Sequence, residues 1–172
     1  KLIISYTGYT SVEKEIELTE NKEILITLVQ ENYIMEEVLV KAVRANSSTP
    51  VTYSNLDKRE ISKRNLGQDI PILLNYLPSV ISSSDAGAGI GYTYLNVRGS
   101  NSERINVTIN GIPYNDAESQ GTFWVNLGDF ASSTESLQLQ RGIGTSTNWA
   151  GAFGASLNIL TDAISEDAYG EI

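Results

Sequence analysis

The stretch that decides the fold lies near the end of the chain and reads LQLQRGIGTSTNWAGAFGASLNILT, residues 137–161. Two runs of alternating polar and apolar residues, 136–141 and 155–160, enclose a glycine-rich segment that holds one arginine and one tryptophan. Such alternation is typical of half-buried strands. We therefore predict two strands joined by a loop whose glycines permit positive φ angles and close approach of the backbone.

Composition narrows the class of protein. The 172 residues carry a net charge of −9, and 41% hydrophobic with 19% charged residues is ordinary usage for a globular chain with one good core. The chain has no histidine and no cysteine, which excludes Ser-His-Asp and Cys-His nucleophiles, disulfides, and metal or haem ligation by those side chains. We predict no catalytic residue, no metal site and no cofactor.

Positive charge is scarce in the second part of the chain. After residue 64 there are three basic residues, Arg98, Arg104 and Arg141, against eleven acidic ones. Because phosphate neutralisation needs clustered Lys and Arg, we predict no nucleic-acid partner. Arg98 and Arg141 each end an alternating run directly before a glycine, and arginine is suited to bidentate pairing with carboxylates. The two are either ordinary surface arginines or a positioned pair.

The first fifty residues predict a separate strand-rich segment followed by a linker. The runs LIISYTG, VEKEIEL and EILITLV within residues 1–29 predict three strands. Three strands seldom hold together alone, so we expect the end of a β-sandwich whose earlier strands are missing. Residues 30–50 predict a linker containing the β-prone run Val38-Leu39-Val40, which is either an edge strand or a segment for a partner. No apolar run reaches the length of a membrane-spanning helix, and no signal peptide opens the chain.

The middle of the chain mixes helices and strands. Residues 54–66 predict a helix with Ser54 and Asp57 as a capping pair, and residues 69–77 predict a second helix that Asp69 caps. A soft loop at 82–92 follows, then strands at 92–99 and 104–110, with Asn110-Gly111 as a tight turn. Residues 122–130 predict a short helix or a packed loop. The predicted class is α+β, a small mixed β-sheet with short helices and long glycine-rich loops, preceded by a partial β-sandwich.

Two segments have the composition of candidate binding loops. GAGIG at 87–91 lacks the GxGxxG spacing and precedes a strand rather than a helix, which favours an exposed loop over a phosphate site. YNDAESQGTFW at 114–124 supplies carboxylate and amide oxygens without the spacing of an EF-hand. It is either a solvated acidic loop or a polar, aromatic-edged recognition loop. Nothing positions two carboxylates as the acid and nucleophile of a glycosidase, so we predict that the chain is not an enzyme.

Five motifs in order resemble the plug domain of TonB-dependent outer-membrane receptors: DIPILLNYLPSV, LNVRGSN, INVTINGIPYND, ESLQLQRGIG and WAGAFGASLNILT. Asn110-Gly111-Ile112-Pro113 stands where the family usually has Asp-Gly-Val-Pro, and Glu135 with Arg141 resembles its Glu…Arg-Gly element. Ala155-Ser156 stands where paired glycines are common. Residues 1–30 resemble the last strands of a carboxypeptidase-regulatory-like β-sandwich of the Bacteroidota type, and residues 36–42 resemble the TonB box.

The resemblance implies a domain order and a location. It divides the chain into the end of the sandwich at 1–33, a linker with the TonB-box-like segment at 34–50, and the plug at 51–172. It implies a plug in the lumen of the protein's own C-terminal barrel, of about 22 strands, in the outer membrane, with the N-terminal part facing the periplasm. The implied partners are that barrel, the TonB C-terminal domain and a small nutrient ligand, with an iron chelate favoured. A glycan-importing plug and a non-transporting surface or secreted binding module are the alternatives.

The resemblance also implies residue roles. Arg98 and Arg141 would anchor the plug to glutamates of the barrel, and Trp149 and Phe153 would supply filling volume. The loops at 84–92 and 114–124 would form the ligand-facing apices. The TonB-interacting residues would be Glu37, Val38, Leu39, Val40, Lys41 and Ala42. The ligand-facing side chains would be Asp85, Tyr92, Tyr114, Asn115, Asp116, Glu118, Gln120, Phe123 and Trp124.

Overall fold

A computed structural model describes residues 1–6, 9–16, 21, 23–29, 44–144, 148 and 152–162. Contacts divide the chain into two units, Lys1–Glu37 and Val38–Ile172. In the first unit, β1 (Leu2–Tyr6) pairs antiparallel with β2 (Tyr9–Lys14). The third strand predicted there is wrong: residues 23–29 form no ladder, although the Thr10 amide donates to the Val29 carbonyl at 2.9 Å. The β-sandwich and the domain boundaries stay predictions.

The second unit is built on a mixed five-stranded sheet of order β3-β8-β9-β6-β7, in which only β9 and β6 run parallel. Its strands are, in chain order, β3 (Thr52–Asp57), β6 (Ile105–Ile109), β7 (Ile112–Pro113), β8 (Thr134–Arg141) and β9 (Ala155–Thr161). A separate hairpin consists of β4 (Val80–Ser84) and β5 (Thr93–Val97). The helices are α1 (Lys58–Arg64) and α2 (Ile70–Leu74), with 3-10 turns at Ser102–Arg104, Trp124–Leu127 and Phe130–Ser133. The predicted α+β class is confirmed.

Alternation along the strands gives the sheet one apolar face. Paired residues on neighbouring strands point the same way, so Leu137 meets Ile159, and Leu139 meets Leu157. These side chains join one buried cluster with Ile61 of α1, residues 70, 73 and 74 of α2, and residues 80, 95 and 97 of the β4-β5 hairpin. Burial of this apolar surface is what holds the short helices in place, because helices of five to seven residues are unstable alone.

The predicted helix over 54–66 is wrong at its start. Residues 52–57 pair with β8 along their whole length, and α1 begins at Lys58. Asp57 caps it, accepting from the Glu60 amide at 2.8 Å, whereas the Ser54 hydroxyl accepts from Arg141 at 2.9 Å. A full cross-strand ladder stabilises this segment more than one local cap does.

The second helix is shorter than predicted, and Asp69 stands at its N-cap position as predicted but makes no capping hydrogen bond with its side chain. Its carboxylate accepts from the Thr93 hydroxyl at 2.9 Å, which ties the start of α2 to β5. The predicted loop at 82–92 begins only after Ser84, because residues 80–84 pair with β5. The Asn110-Gly111 turn is confirmed: φ angles of 50° and 80° at these residues give the type I′ geometry that joins β6 to β7.

Candidate functional site: an apical cleft and a polar sheet face

The two loops predicted as ligand-facing meet at one cleft of about 240 Å³. Tyr92 comes from the first loop and Phe123 from the second, and their rings are 60% and 47% exposed. Of the other cleft residues, Ser119, Gly121 and Thr122 lie within the predicted second loop, whereas four were missed, two from β5 and two from the 3-10 turn after it: Thr93, Tyr94, Ser102 and Glu103. No periodicity marks them, because only the fold brings these segments together.

The prediction that Trp124 faces a ligand is wrong. The residue borders the cleft, but its side chain is 2% exposed and belongs to the hydrophobic core, so it does not face a ligand as predicted. A ring of this size gains more from burial than from exposure. Its Nε1 has no hydrogen-bond partner, and neither has the buried hydroxyl oxygen of Thr122 beside it.

Asn115 is a structural residue of the second loop and is not free for a ligand. Its Oδ1 accepts from the Val107 amide at 2.7 Å, and its Nδ2 donates to the Ile105 carbonyl at 2.9 Å. The same Nδ2 donates to the Gln120 carbonyl at 2.8 Å. The side chain therefore takes the place of a neighbouring strand along the edge of β6, where the two-residue β7 has ended.

Asp116 shapes the tip of the same loop. Its Oδ2 accepts from the Ser119 amide at 2.7 Å and from the Ser119 hydroxyl at 2.8 Å. The backbone hydrogen bond first, and the hydroxyl second, lower the pKa of Asp116 below its usual value. Gln120 has a φ of 61° and donates to the Ala117 carbonyl at 2.8 Å, while Glu118 is exposed. The loop is thus an ordered turn with its negative charge at the surface.

The remaining predicted ligand residues lie at the edges of the two loops. The Tyr94 hydroxyl donates to Asp85 at 3.1 Å, and this hydrogen bond raises the pKa of Tyr94. Tyr114 is half-buried and packs against the core. The structure therefore brings the first loop to the second through Tyr92 and Phe123, with Asp85, Asp116 and Glu118 exposed in the same two loops.

Arg98 and Arg141 lie side by side. Arg98 has a φ of 51° and is exposed, and its Nη1 comes within 3.1 Å of the position that a Cβ on Gly142 would take. Burial first, and the charge of Arg98 second, lower the pKa of Arg141. Among the described residues the ion pairs are Lys1–Glu13 and Lys58–Asp162, so neither arginine has a carboxylate there. Their pairing with barrel glutamates stays a prediction.

The second face of the sheet is polar, and we name it the polar face. Its buried residues are Asn106 and Thr108 of β6, Gln138 and Gln140 of β8, and Ser156 and Asn158 of β9. They bond across and along the strands: Thr108 of β6 donates to Asn158 of β9 at 2.7 Å, and Gln140 donates to Gln138, two residues before it on β8, at 3.0 Å. Asn148 lies over this face, donating to Gln140 and accepting from Ser156, both at 2.9 Å. Buried amides of this number require such partners.

Residues 44–46, which we name the strap, cover the polar face. Gln138 holds the Ala45 backbone at both ends, accepting from its amide at 2.7 Å and donating to its carbonyl at 2.9 Å. Arg44 donates to the Ser136 hydroxyl at 2.9 Å and to the carbonyls of Ser136 and Asn158 at 3.0 and 3.1 Å. Burial lowers the pKa of Arg44 to about 10, so it stays charged at neutral pH.

Several predictions fall outside what the structure describes. The TonB-interacting residues 37–42 and Trp149 lie outside the described residues, and Phe153 is 64% exposed, so it fills no space within this unit. Within the described ranges no group of three or more acidic side chains is placed to hold a metal ion. No helix in that part of the chain has both the length and the hydropathy of a membrane span.

Comparison with solved structures gives the same fold in several receptors. The siderophore receptor PirA from Acinetobacter baumannii is 20% identical over 66% of this chain, with a TM-score of 0.50. FpvAI, solved with pyocin S2, is 18% identical over 67%, with a TM-score of 0.51. A double mutant of the Serratia marcescens hemophore receptor HasR, bound to HasA and heme, is 19% identical over 67%, also with a TM-score of 0.51.

The matched region is a small part of each receptor, between 15% and 17% of the solved chain. No curated protein sequence matches this chain. The family of TonB-dependent receptor plug domains matches residues 45–156, from the strap to the second residue of β9. This is a family of receptor plugs and not of enzymes. The chain belongs to the TonB-dependent receptor plug domain family.

Proposed function

We propose that this chain is the plug of an outer-membrane TonB-dependent active transporter, which closes the barrel and couples ligand binding to TonB during import of a small nutrient. The observation that carries the proposal is the strap, which is bonded to the polar face and begins two residues after the end of the TonB-box-like segment 36–42. An iron chelate is the favoured nutrient class. Solved receptors of the same fold include a siderophore receptor and a hemophore receptor, which agrees with that class.

The coupling step follows from the order of the residues. TonB would take residues 37–42 by strand addition, in which main-chain hydrogen bonds supply affinity. A pull on that segment reaches Arg44 and Ala45 next along the chain. Their partners lie on β8 and β9, the second and third strands of the five, so force enters the middle of the sheet.

The polar face is the side of the sheet suited to yield. Its hydrogen bonds each contribute a net ~0.5–1.5 kcal/mol, because water replaces them when they open. The apolar face has no such substitute, and its exposure costs roughly 25 cal/mol for each Å². Under load the strap therefore leaves first, and the helices and the β4-β5 hairpin stay packed. This order opens a path along one side of the plug without unfolding it.

Ligand recognition would take place at the apical cleft rather than at the strap. The cleft between the two loops offers tyrosine, phenylalanine and hydroxyl groups to a nutrient held jointly with the barrel. Arg98 and Arg141 would anchor the plug through barrel glutamates, since arginine pairs bidentately with carboxylates. The N-terminal part, with residues 37–42, faces the periplasm.

The test separates binding from uptake in the full-length receptor. Leu39→Pro removes a backbone donor and is expected to abolish uptake while the affinity for ligand stays unchanged. Leu39→Val keeps the donor and the strand propensity and serves as the control, with uptake expected within about twofold of wild type. Titration with the TonB C-terminal domain is expected to show binding to wild type and none to a version with residues 36–42 scrambled. Equal loss of ligand binding and uptake in Leu39→Pro would contradict the proposal.

A further inference from the structure

The apical cleft carries negative charge and no positive charge. Its lining includes the carboxylate of Glu103, and no Lys or Arg lines it among the described residues. The loops that form it, 85–92 and 114–124, contribute Asp85, Asp116 and Glu118 and have no basic residue in their sequence. A cleft with walls of one charge sign concentrates the field within it.

The arginines nearest along the chain do not reverse this charge. Arg104 follows Glu103 directly, but it is exposed and does not line the cleft. Arg98 stands beyond the far end of β5, which runs Thr93–Val97, while Thr93 lines the cleft. At roughly 3.3 Å for each residue of a strand, Arg98 lies on the order of 16 Å from Thr93. Its guanidinium instead lies beside Gly142, and its charge acts on Arg141.

The charge and the polarity of the cleft persist at neutral pH. The hydrogen bonds from Ser119 keep the pKa of Asp116 below its usual value, and the bond to Asp85 raises the pKa of Tyr94. The carboxylate therefore stays ionised and the phenol stays neutral. Of the lining hydroxyls, those of Thr93 and Ser119 already donate to Asp69 and Asp116, and the Thr122 oxygen is buried, so Ser102 is the remaining serine or threonine of the lining. Its hydroxyl can bond to an uncharged oxygen-rich surface, while the rings of Tyr92 and Phe123 pack against apolar or cationic ones.

We propose that the cleft selects a neutral or cationic iron chelate, such as a hydroxamate, and rejects a trianionic catecholate chelate. The inference rests on the proposed function. A trianion would place its charge against Glu103 and near Asp85 and Asp116, with no Lys or Arg among the described residues of the cleft lining to offset it. A neutral or positively charged chelate meets the Ser102 hydroxyl, the rings of Tyr92 and Phe123, and the Glu103 carboxylate, all of which it can contact favourably.

The experiment uses the full-length receptor purified in detergent and two probes of opposite charge, the cationic trihydroxamate ferrioxamine B and the trianionic ferric enterobactin. Titration calorimetry at low salt is expected to give at least ~10-fold tighter binding of ferrioxamine B, a preference that shrinks at high salt. Glu103→Gln is expected to reduce the ratio of the affinity for ferrioxamine B to the affinity for ferric enterobactin. Glu135→Gln, an exposed carboxylate on β8 outside the cleft lining, is expected to leave it unchanged.

Several results would overturn the inference: equal or tighter binding of ferric enterobactin, binding of neither probe, or equal effects of Glu103→Gln and Glu135→Gln. Titration with the TonB C-terminal domain on the same sample tests the proposed function separately. A receptor that binds TonB and prefers ferric enterobactin refutes the charge selection alone. A receptor that binds ferrioxamine B but not TonB refutes the coupling role alone.

Discussion

The two faces of the five-stranded sheet are made by alternate residues of the same strands, yet they are covered differently. The apolar face lies under α1, α2 and the β4-β5 hairpin, and Leu137, Leu139 and Leu157 on it are 0% exposed. The polar face carries buried amides and hydroxyls and is covered by the strap and Asn148. Burial and resistance to load are therefore separate properties, because both faces are buried but only the polar face is held by hydrogen bonds that water can replace.

The largest effect is expected on the apolar face. Leu139→Ala leaves a cavity among fully buried side chains and should lower the free energy of unfolding by about 2–5 kcal/mol. Urea denaturation of the 172-residue chain measures it. Leu66→Ala, at a side chain 81% exposed in the same unit, is the matched control and should change stability by less than about 0.5 kcal/mol. Similar losses in both variants would show that the apolar face is not the stable side.

A smaller loss of global stability, with a larger local effect, is expected on the polar face. Gln138→Leu leaves both the amide and the carbonyl of Ala45 without their partner and should cost about 1–3 kcal/mol. Hydrogen exchange at the Ala45 amide is expected to speed up by about tenfold or more, since the strap then opens more often. Gln68→Leu removes an amide that donates to the Ala88 carbonyl and should leave exchange at Ala45 unchanged. Unchanged hydrogen exchange at the Ala45 amide in Gln138→Leu would show that Gln138 does not hold the strap on the polar face.

Close packing at the end of the glycine-rich loop gives a third test. A Cβ on Gly154 would collide with the Ser100 side chain and stand 3.1 Å from the Arg104 carbonyl, which accepts from the Gly154 amide. Gly154→Ala is therefore expected to lower stability by about 1–2 kcal/mol. Gly128→Ala is the control, because nothing lies within 4 Å of its added Cβ. Thermal denaturation that ranks the two variants equally would remove close approach as the reason for glycine at position 154.

The smallest effect is expected at the surface loop. The pKa of Asp116 is lowered in the folded state, so its contribution is present above the usual value of 3.8 and is lost as pH falls through the folded pKa. The Ser119 amide resonance should therefore titrate below pH 3.8 in an NMR series. Asp116→Asn should remove that titration. A midpoint at or above the usual value would show that the turn does not hold the carboxylate.

Local signals predicted the strands and turns that tertiary structure does not override. The alternation of Leu137 with Gln138 located β8, and Asn110-Gly111 located a type I′ turn from residue type alone. The helix prediction was wrong at residues 54–57 because the capping signal is local. The ladder that these residues form with β8 joins positions about eighty residues apart. Chain distance hides such a ladder from any reading of neighbouring residues.

The candidate site was predictable only in outline. The two loops were located correctly by composition and do meet at one cleft, but β5 supplies Thr93 and Tyr94, which nothing in the sequence marks. Trp124 was expected to face a ligand and is buried instead. Alternation also implies that Gln138 points away from the apolar core, and it does, but periodicity does not distinguish a side that meets water from a side that the strap covers.

The central claim is that the strap leaves the polar face before the apolar face opens. Single-molecule force spectroscopy on the full-length receptor in a bilayer, pulling from residue 38, tests it most directly. We expect a first rupture that releases a short length of chain and occurs at lower force in Gln138→Leu than in wild type, with Leu139→Ala leaving that first event unchanged. A first rupture that is insensitive to Gln138→Leu and weakened by Leu139→Ala would contradict the account.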